Sequence, residues 1–298
     1  ANAAVAAPKS TLKNMQKYKG FYLMFIPVLV FTVAFHYLPL AGISLAFTEY
    51  RGVKAPEFVG LDNFVRMFEA PGFWTAFLNT LKLSVVKLLL NTLMAVVISL
   101  LLNEIKNMAF KKTTQTIIYL PHFMSWVVTV SVFSLILSPS QDGLVNTLLV
   151  NAGILEQGQE IYFMGSKDWW TSIFYIINVW KDTGWQTIII MATLVGISQE
   201  IYEAAGIDGA GRWKKMWYIT MPALANTIIT VIILNLAKVL NLFESVFVLQ
   251  NDAVMEKAEV IQTYVYNQTF NSGGIPNYGY TTAVGLFKSL VGCVLVLI

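Results

Sequence analysis

Six stretches of this 298-residue chain are long and apolar enough to cross a bilayer as helices, which constrains the fold more than any other feature. A bilayer's hydrocarbon core is about 30 Å thick and takes roughly 20 apolar residues of helix to cross. Residues 21–46, 76–102, 114–137, 170–197, 222–248 and 280–298 each reach that length. Lipid offers no partner to a free backbone N–H or C=O, so such segments are driven into helices. The predicted fold is an all-α polytopic membrane protein with six transmembrane helices. Only 12% of residues are charged, against about 25% in a soluble domain, which rules out reading these runs as a soluble core.

The loops predict the orientation, because Lys and Arg accumulate on the cytoplasmic side. Lys9, Lys13, Lys17 and Lys19 precede the first span with no acidic residue among them. Lys106, Lys111 and Lys112 follow the second span, and Arg212, Lys214 and Lys215 follow the fourth. The alternate loops are acid-rich: Asp142, Glu156, Glu160 and Asp168, then Asp252, Glu256 and Glu259. Both termini are therefore expected in the cytoplasm, with residues 1–20 as a cytoplasmic segment and 21–298 as the membrane domain. The first span is too long for a signal-peptide core and lacks a small-residue cleavage site, so it is read as retained. The last span runs out without a polar flank, as expected of a chain that continues beyond Ile298.

Several functions are excluded early. The net charge of +3 gives no footprint for nucleic acid. Cys293 is the sole cysteine, so there is no disulfide framework. His36 and His122 stand alone near span ends, without a second ligand at metal-binding spacing. The chain has neither a Walker lysine loop nor the zincin or serine-hydrolase motifs, so no ATP site and no catalytic residue are expected in it. It needs no cofactor of its own.

One polar loop interrupts the apolar pattern. Gln199 to Asp208 reads as a short helix with Ile201, Ala204, Ala205 and Asp208 at helical spacing. Gly209 and Gly211 permit a sharp turn. Arg212 to Tyr218 reads as a second short helix with Trp213, Met216 and Trp217 on its apolar side, and Pro222 then opens the fifth span. Taken alone, the loop is either an interfacial amphipathic element or a knob offered to a cytoplasmic partner.

The motif in this loop carries a resemblance. Glu203-Ala204-Ala205, then Gly209, Ile219 and Pro222, follow the pattern Glu-Ala-Ala, three residues, Gly, nine residues, Ile, one residue, Leu-Pro. Met221 stands where the pattern has Leu. This resembles the permease subunits of bacterial binding-protein-dependent ABC importers. Tyr119-Leu120-Pro121, Gly143-Leu144-Val145-Asn146 and Trp180-Lys181-Asp182-Thr183-Gly184-Trp185 are similar to the sugar and oligosaccharide branch, including the maltose and alginate permeases. The resemblance covers nearly the whole chain from about residue 18.

It implies a location in the bacterial inner membrane. It also implies that loop 199–221 is the coupling helix between spans 4 and 5, docking on a separate ATP-binding-cassette dimer. Glu203, Ala204, Ala205, Asp208, Gly209 and Arg212 are the expected coupling residues. ATP and Mg would lie on the partner ATPase subunits. The other implied partners are a second permease, expected to be a paralogue, an extracytoplasmic solute-binding protein and an oligosaccharide cargo.

Charges inside the spans point to a pathway, because ionisable groups in lipid are costly and face a cavity or a partner. Lys87, Lys181, Lys238 and Lys288 lie on four spans about 9–12 residues from the predicted outer boundary, roughly 14–18 Å deep at 1.5 Å per residue. Asp182 shares that level and Glu244 is nearer the outside. Asn178, Lys181, Asp182 and Trp185 are expected on one stripe of span 4. Lys238, Asn241 and Ser245 are expected on one face of span 5, with Asn235 at its edge. Polar groups interleaved with aromatics suit sugar rings, and a net positive layer suits carboxylates. The expected cargo is an anionic, uronate-containing oligosaccharide.

Two other readings stand beside this one. In one, Lys181 or Lys238 pairs structurally with Asp182 or Glu244. An ion-coupled secondary transporter would use Asp182 and Glu244 as proton sites, although the chain lacks the inverted repeat common in that class.

Overall fold

Each of the six apolar runs is helical over most of its length, but two of them are broken within the membrane-spanning stretch. The computed structural model describes residues 17–140, 143–271 and 273–297. The expectations placed on Lys9, Lys13, Asp142 and Ile298 fall outside these residues. Among the described residues, four helices are long and apolar enough to span a membrane, and two bent helix pairs bring the number to as many as six.

The first span, α1 (Lys19–Phe47), changes winding along its course, from α-helix to a π turn at Val33–Tyr37 and a 3-10 helix from Leu38. Pro39, which has no N–H for the ladder, lies in the first turn of that 3-10 segment. A two-residue strand pair follows, Thr48–Glu49 against Glu57–Phe58, with Thr48 opposite Phe58. Helix α2 (Asp62–Glu69) carries the buried Asn63, whose amide donates to the carbonyls of Ala46 and Thr48 and fixes the end of α1.

The centre of the fold is the pairing of α3 (Pro71–Glu104) with α7 (Trp170–Val195). They run side by side in the same direction. Tyr175 donates to the Lys82 carbonyl, Lys87 meets Asp182, and Ser99 donates to the Thr187 carbonyl. Leu83 packs in one apolar cluster with Trp170, Ile173, Phe174 and Ile177. Ala95 and Leu102 pack in another with Ile190, Met191 and Leu194. Gly184 makes the neighbouring contact possible, since a Cβ there would run into the Ile118 carbonyl.

Between these helices, the predicted third span is not one helix. It comprises α4 (Met108–Phe123) and α5 (Trp126–Ile136), bent by 107°. Pro121 tightens the end of α4 into a 3-10 turn, and Met124 and Ser125 are extended. The Ser125 hydroxyl then accepts from the Val128 amide and caps α5. Beyond it, α6 (Leu144–Asn151) is anchored by Asn146, which bonds the carbonyls of Ser138 and Ile161 and the amide of Ile161.

The fifth span also departs from expectation. The second short helix predicted at 212–218 does not end before Pro222. It continues through a π turn at Met216–Thr220 into a single helix, α9 (Arg212–Leu236). The π turn accommodates Pro222, which has no N–H for the ladder. After Leu236 the helix breaks, and a separate α10 spans Phe243–Leu249. Lys238 and Asn241 therefore do not share a continuous helical face with Ser245. The amides of Leu242 and Phe243 at the start of α10 are bonded by the Gln262 side chain at 2.8 and 3.0 Å. Gln262 lies on α11 (Ile261–Phe270), and α12 (Tyr278–Leu297) completes the sixth span.

Candidate functional site

Two places gather the polar residues that the apolar pattern cannot explain. The first is a cavity of about 440 Å³ between α3, α7, the α4–α5 bend and the break after α9. Lys87, Asp182, Trp185, Asn235, Lys238 and Asn241 line it, together with Ser84, Asn91, His122 and Gln186. The Lys87 ammonium lies 3.2 Å from one Asp182 carboxylate oxygen, and His122 Nδ1 lies 3.8 Å from the other. The His122 ring stacks on Trp185 at 5.2 Å. Asp182 thus pairs with Lys87 and not with Lys181 or Lys238. Ser84, Asn91 and Gln186 are buried, and Ser84 Oγ, Asn91 Oδ1 and Gln186 Oε1 have no protein partner among the described residues. Such groups are costly unless something hydrogen-bonds them.

Four of the expected pathway residues lie elsewhere. Asn178 is fully buried, and its amide donates to the Phe174 carbonyl one turn back. Lys181 is buried, and its ammonium donates to the carbonyls of His122 and Met124 at 3.1 and 2.7 Å, above the Trp126 ring. It closes the α4–α5 bend and does not line the cavity. Lys288 donates to Asn241 Oδ1 at 2.7 Å from outside the cavity wall. Glu244 is exposed in the first turn of α10, without an ion pair among the described residues. The expected stripe on α7 is therefore split between interior and cavity.

Sequence spacing missed His122, along with Ser84, Asn91 and Gln186; of these, His122 comes from a different part of the chain. It is 60 positions from Asp182 along the chain, and only the bend after Pro121 brings the two together. Pro121 was the available signal.

The second place is α8 (Gln199–Ile207) and the turn after it, set at 66° to α7. The Ser198 hydroxyl caps its N-terminus by accepting from Glu200. Asp208 closes it, and Gly209 takes φ +75°, the left-handed conformation that ends a helix most readily at Gly. The amide of Gly209 donates to Gly206, and that of Ala210 to Ala205. Lys215 reaches back from α9 to the Tyr202 carbonyl at 2.7 Å, and the Tyr202 hydroxyl bonds that of Thr220 at 2.8 Å. Glu203, Ala204, Asp208, Gly209 and Arg212 are exposed and Ala205 half-buried. The element is internally braced and presents its motif outward.

Residues 91–298 match the family described as the binding-protein-dependent transport system inner membrane component. The chain belongs to this family. The chain is thus a membrane component of a transport system, which favours the ATP-driven reading over the ion-coupled one. The polygalacturonan/rhamnogalacturonan transport system permease protein YteP of Bacillus subtilis (strain 168) is 39% identical, over 97% of this chain and 89% of the relative. The lactose transport system permease protein LacF of Rhizobium radiobacter is 29% identical, over 96% and 94%. A crystal structure of a bacterial alginate ABC transporter in complex with an alginate pentasaccharide-bound periplasmic protein contains a chain that superimposes with a TM-score of 0.86 at 32% identity, covering 97% of this chain and 95% of that one.

Proposed function

We propose that this permease is one of two transmembrane subunits in an ATP-driven importer of an anionic oligosaccharide. The observation that carries the reading is the braced, exposed α8 turn bearing Glu203, Ala204, Ala205 and Gly209 in the spacing of the coupling motif. A braced element transmits a push from a soluble ATPase to α7 and α9 without dissipating it in local bending. Hydrolysis occurs on the separate ATPase pair, with its own ATP and Mg. The chain performs no chemistry of its own.

The ends of the fold support one orientation. The basic loops around Lys106, Lys111 and Lys112 and around Arg212, Lys214 and Lys215 share the end where α3 and α7 finish. The parallel course of α3 and α7 requires one return crossing between them, which the bent α4–α5 pair supplies. Six crossings with both termini in the cytoplasm of the bacterial inner membrane satisfy these constraints. The opposite end, where Lys167 pairs with Glu256 at 2.6 Å, faces the extracytoplasmic binding protein. A paralogous second permease completes the pathway.

The cavity supports the cargo class. Buried acceptors suit sugar hydroxyls, Trp185 offers a ring to stack on, and the lining carries two ammonium groups against one carboxylate. Relatives that act on galacturonans and alginate support an acidic cargo, while the lactose relative marks the neutral alternative. Binding-protein-stimulated ATP hydrolysis, compared between oligogalacturonates and neutral oligosaccharides of equal length, tests it. Stimulation by the acidic series alone is expected, and equal stimulation by both would contradict the acidic assignment.

A further inference from the structure

Three of the four lysines expected in the intramembrane layer are already satisfied by the protein. Lys87 is neutralised by Asp182 at 3.2 Å. Lys181 is spent on the carbonyls of His122 and Met124. Lys288 donates to Asn241. Lys238 differs: it is exposed, it lines the cavity, and its ammonium has no partner among the described residues. It also sits in the non-helical break between α9 and α10, where its amide bonds only the nearby Asn235 carbonyl. A charge kept at this depth without a partner is costly unless a cavity or a ligand receives it.

We propose that Lys238 is the residue that selects acidic cargo, binding a carboxylate of the sugar, whereas the Lys87–Asp182 pair is a charge-neutral platform for hydroxyls. This rests on the importer reading above. The chemistry divides cleanly. Asp182 accepts hydroxyl donors and cancels the attraction of Lys87 for an anion. Asn91 Oδ1 and Gln186 Oε1 are buried acceptors facing the same cavity and without a protein partner among the described residues, so they too take hydroxyl donors. Among the described residues that line the cavity, Lys238 alone offers a positive charge with no carboxylate beside it. A ligand matching this set has several hydroxyls and one carboxylate on or next to a ring, which defines a uronate residue.

The test uses the assembled transporter, permease pair with ATPase pair, without the binding protein, whose own specificity would mask that of the cavity. Equilibrium binding of radiolabelled trigalacturonate and of a neutral galactose trisaccharide is measured for the wild type, Lys238→Gln and Lys87→Gln. Lys238→Gln is expected to weaken trigalacturonate roughly tenfold or more, to flatten its salt dependence, and to leave the neutral sugar unchanged. Lys238→Arg restores acidic binding. Lys87→Gln leaves Asp182 unpaired and is expected to weaken the acidic sugar and flatten its salt dependence as well, whereas Lys87→Gln combined with Asp182→Asn, which keeps the net charge of the cavity, is expected to leave both in place. Equal weakening of both sugars by Lys238→Gln would assign Lys238 to structure or to the second permease and overturn the proposal, as would no effect on either sugar. Failure of the wild type to bind trigalacturonate, with the ATPase present and active, would overturn it while leaving the importer reading intact. Absence of any associated ATPase would instead remove the importer reading itself.

Discussion

The Lys181 ammonium donates a 2.7 Å hydrogen bond to the carbonyl of Met124, at the point where the third span turns by 107°. The bend frees carbonyls that a straight helix would have bonded, and in lipid they have no water to turn to. The charge on α7 satisfies them. A lysine that sequence reasoning assigns to cargo is thus a clamp between two spans.

Removing that clamp has a predictable cost. Lys181→Met leaves the carbonyls of His122 and Met124 without their donor, which costs about 1–3 kcal/mol. The thermal unfolding midpoint of the purified transporter in detergent is expected to fall, and an unchanged midpoint would show that the bend holds itself.

Gly184 offers a steric test of the same junction. Its missing side chain lets α7 lie against the backbone at Ile118 and Tyr119. Gly184→Ala forces these backbones apart, an overpacking of about 1–3 kcal/mol. Gly285→Ala, with open space around the new methyl, serves as the control. Expression and midpoint are expected to drop for the first and hold for the second.

How much of this was legible beforehand depends on the kind of signal. The long apolar helical runs were readable because hydropathy depends only on local composition. The α8 helix was readable because Ser198 caps it and Gly209 stops it, both local chemistry. The breaks at Met124–Ser125 and at 237–242 were not, since a hydropathy window does not register backbone direction. Their supports, Lys181 and Gln262, lie 57 and 20 residues away in sequence. The cavity was half legible for the same reason. Lys87, Asp182 and Trp185 could be placed by depth, whereas His122 enters only through the bend, and Lys181 and Asn178 leave only because of how α7 is rotated.

Asn146 makes a loop testable. Its amide group holds residues 138 and 161 together through three hydrogen bonds. Asn146→Ala removes all three and leaves half-buried backbone groups unpaired. Limited proteolysis is expected to cut between 138 and 161 far faster in the variant, and equal rates would contradict the clamp.

Glu259, outside the membrane-spanning segments, predicts a pH effect. Burial pushes its pKa above the usual carboxylate range, only partly offset by the hydrogen bond from Asn267. A raised folded-state value means the folded protein binds the proton more tightly than the unfolded chain does. Its penalty is absent below the unfolded value and sets in as pH rises through the folded one. Glu259→Gln keeps an oxygen for Asn267 and removes the charge. The variant is expected to be more stable than wild type at neutral pH and equal to it in acid, as read by unfolding midpoints across pH. A constant difference at all pH values would exclude the charge as the cause.

The central claim is that the α8 turn engages a separate ATPase, and Gly209 tests it most directly. Its φ of +75° and its amide donation to Gly206 are both incompatible with proline. Gly211→Ala, at an ordinary φ of −70° with open space around it, is the matched control. The measurement is ATP hydrolysis in material that co-purifies with the tagged chain from its native membrane. The account predicts hydrolysis with wild type and Gly211→Ala and its loss with Gly209→Pro, while the chain stays folded. Hydrolysis retained in full by Gly209→Pro, or absent from every sample, would contradict it.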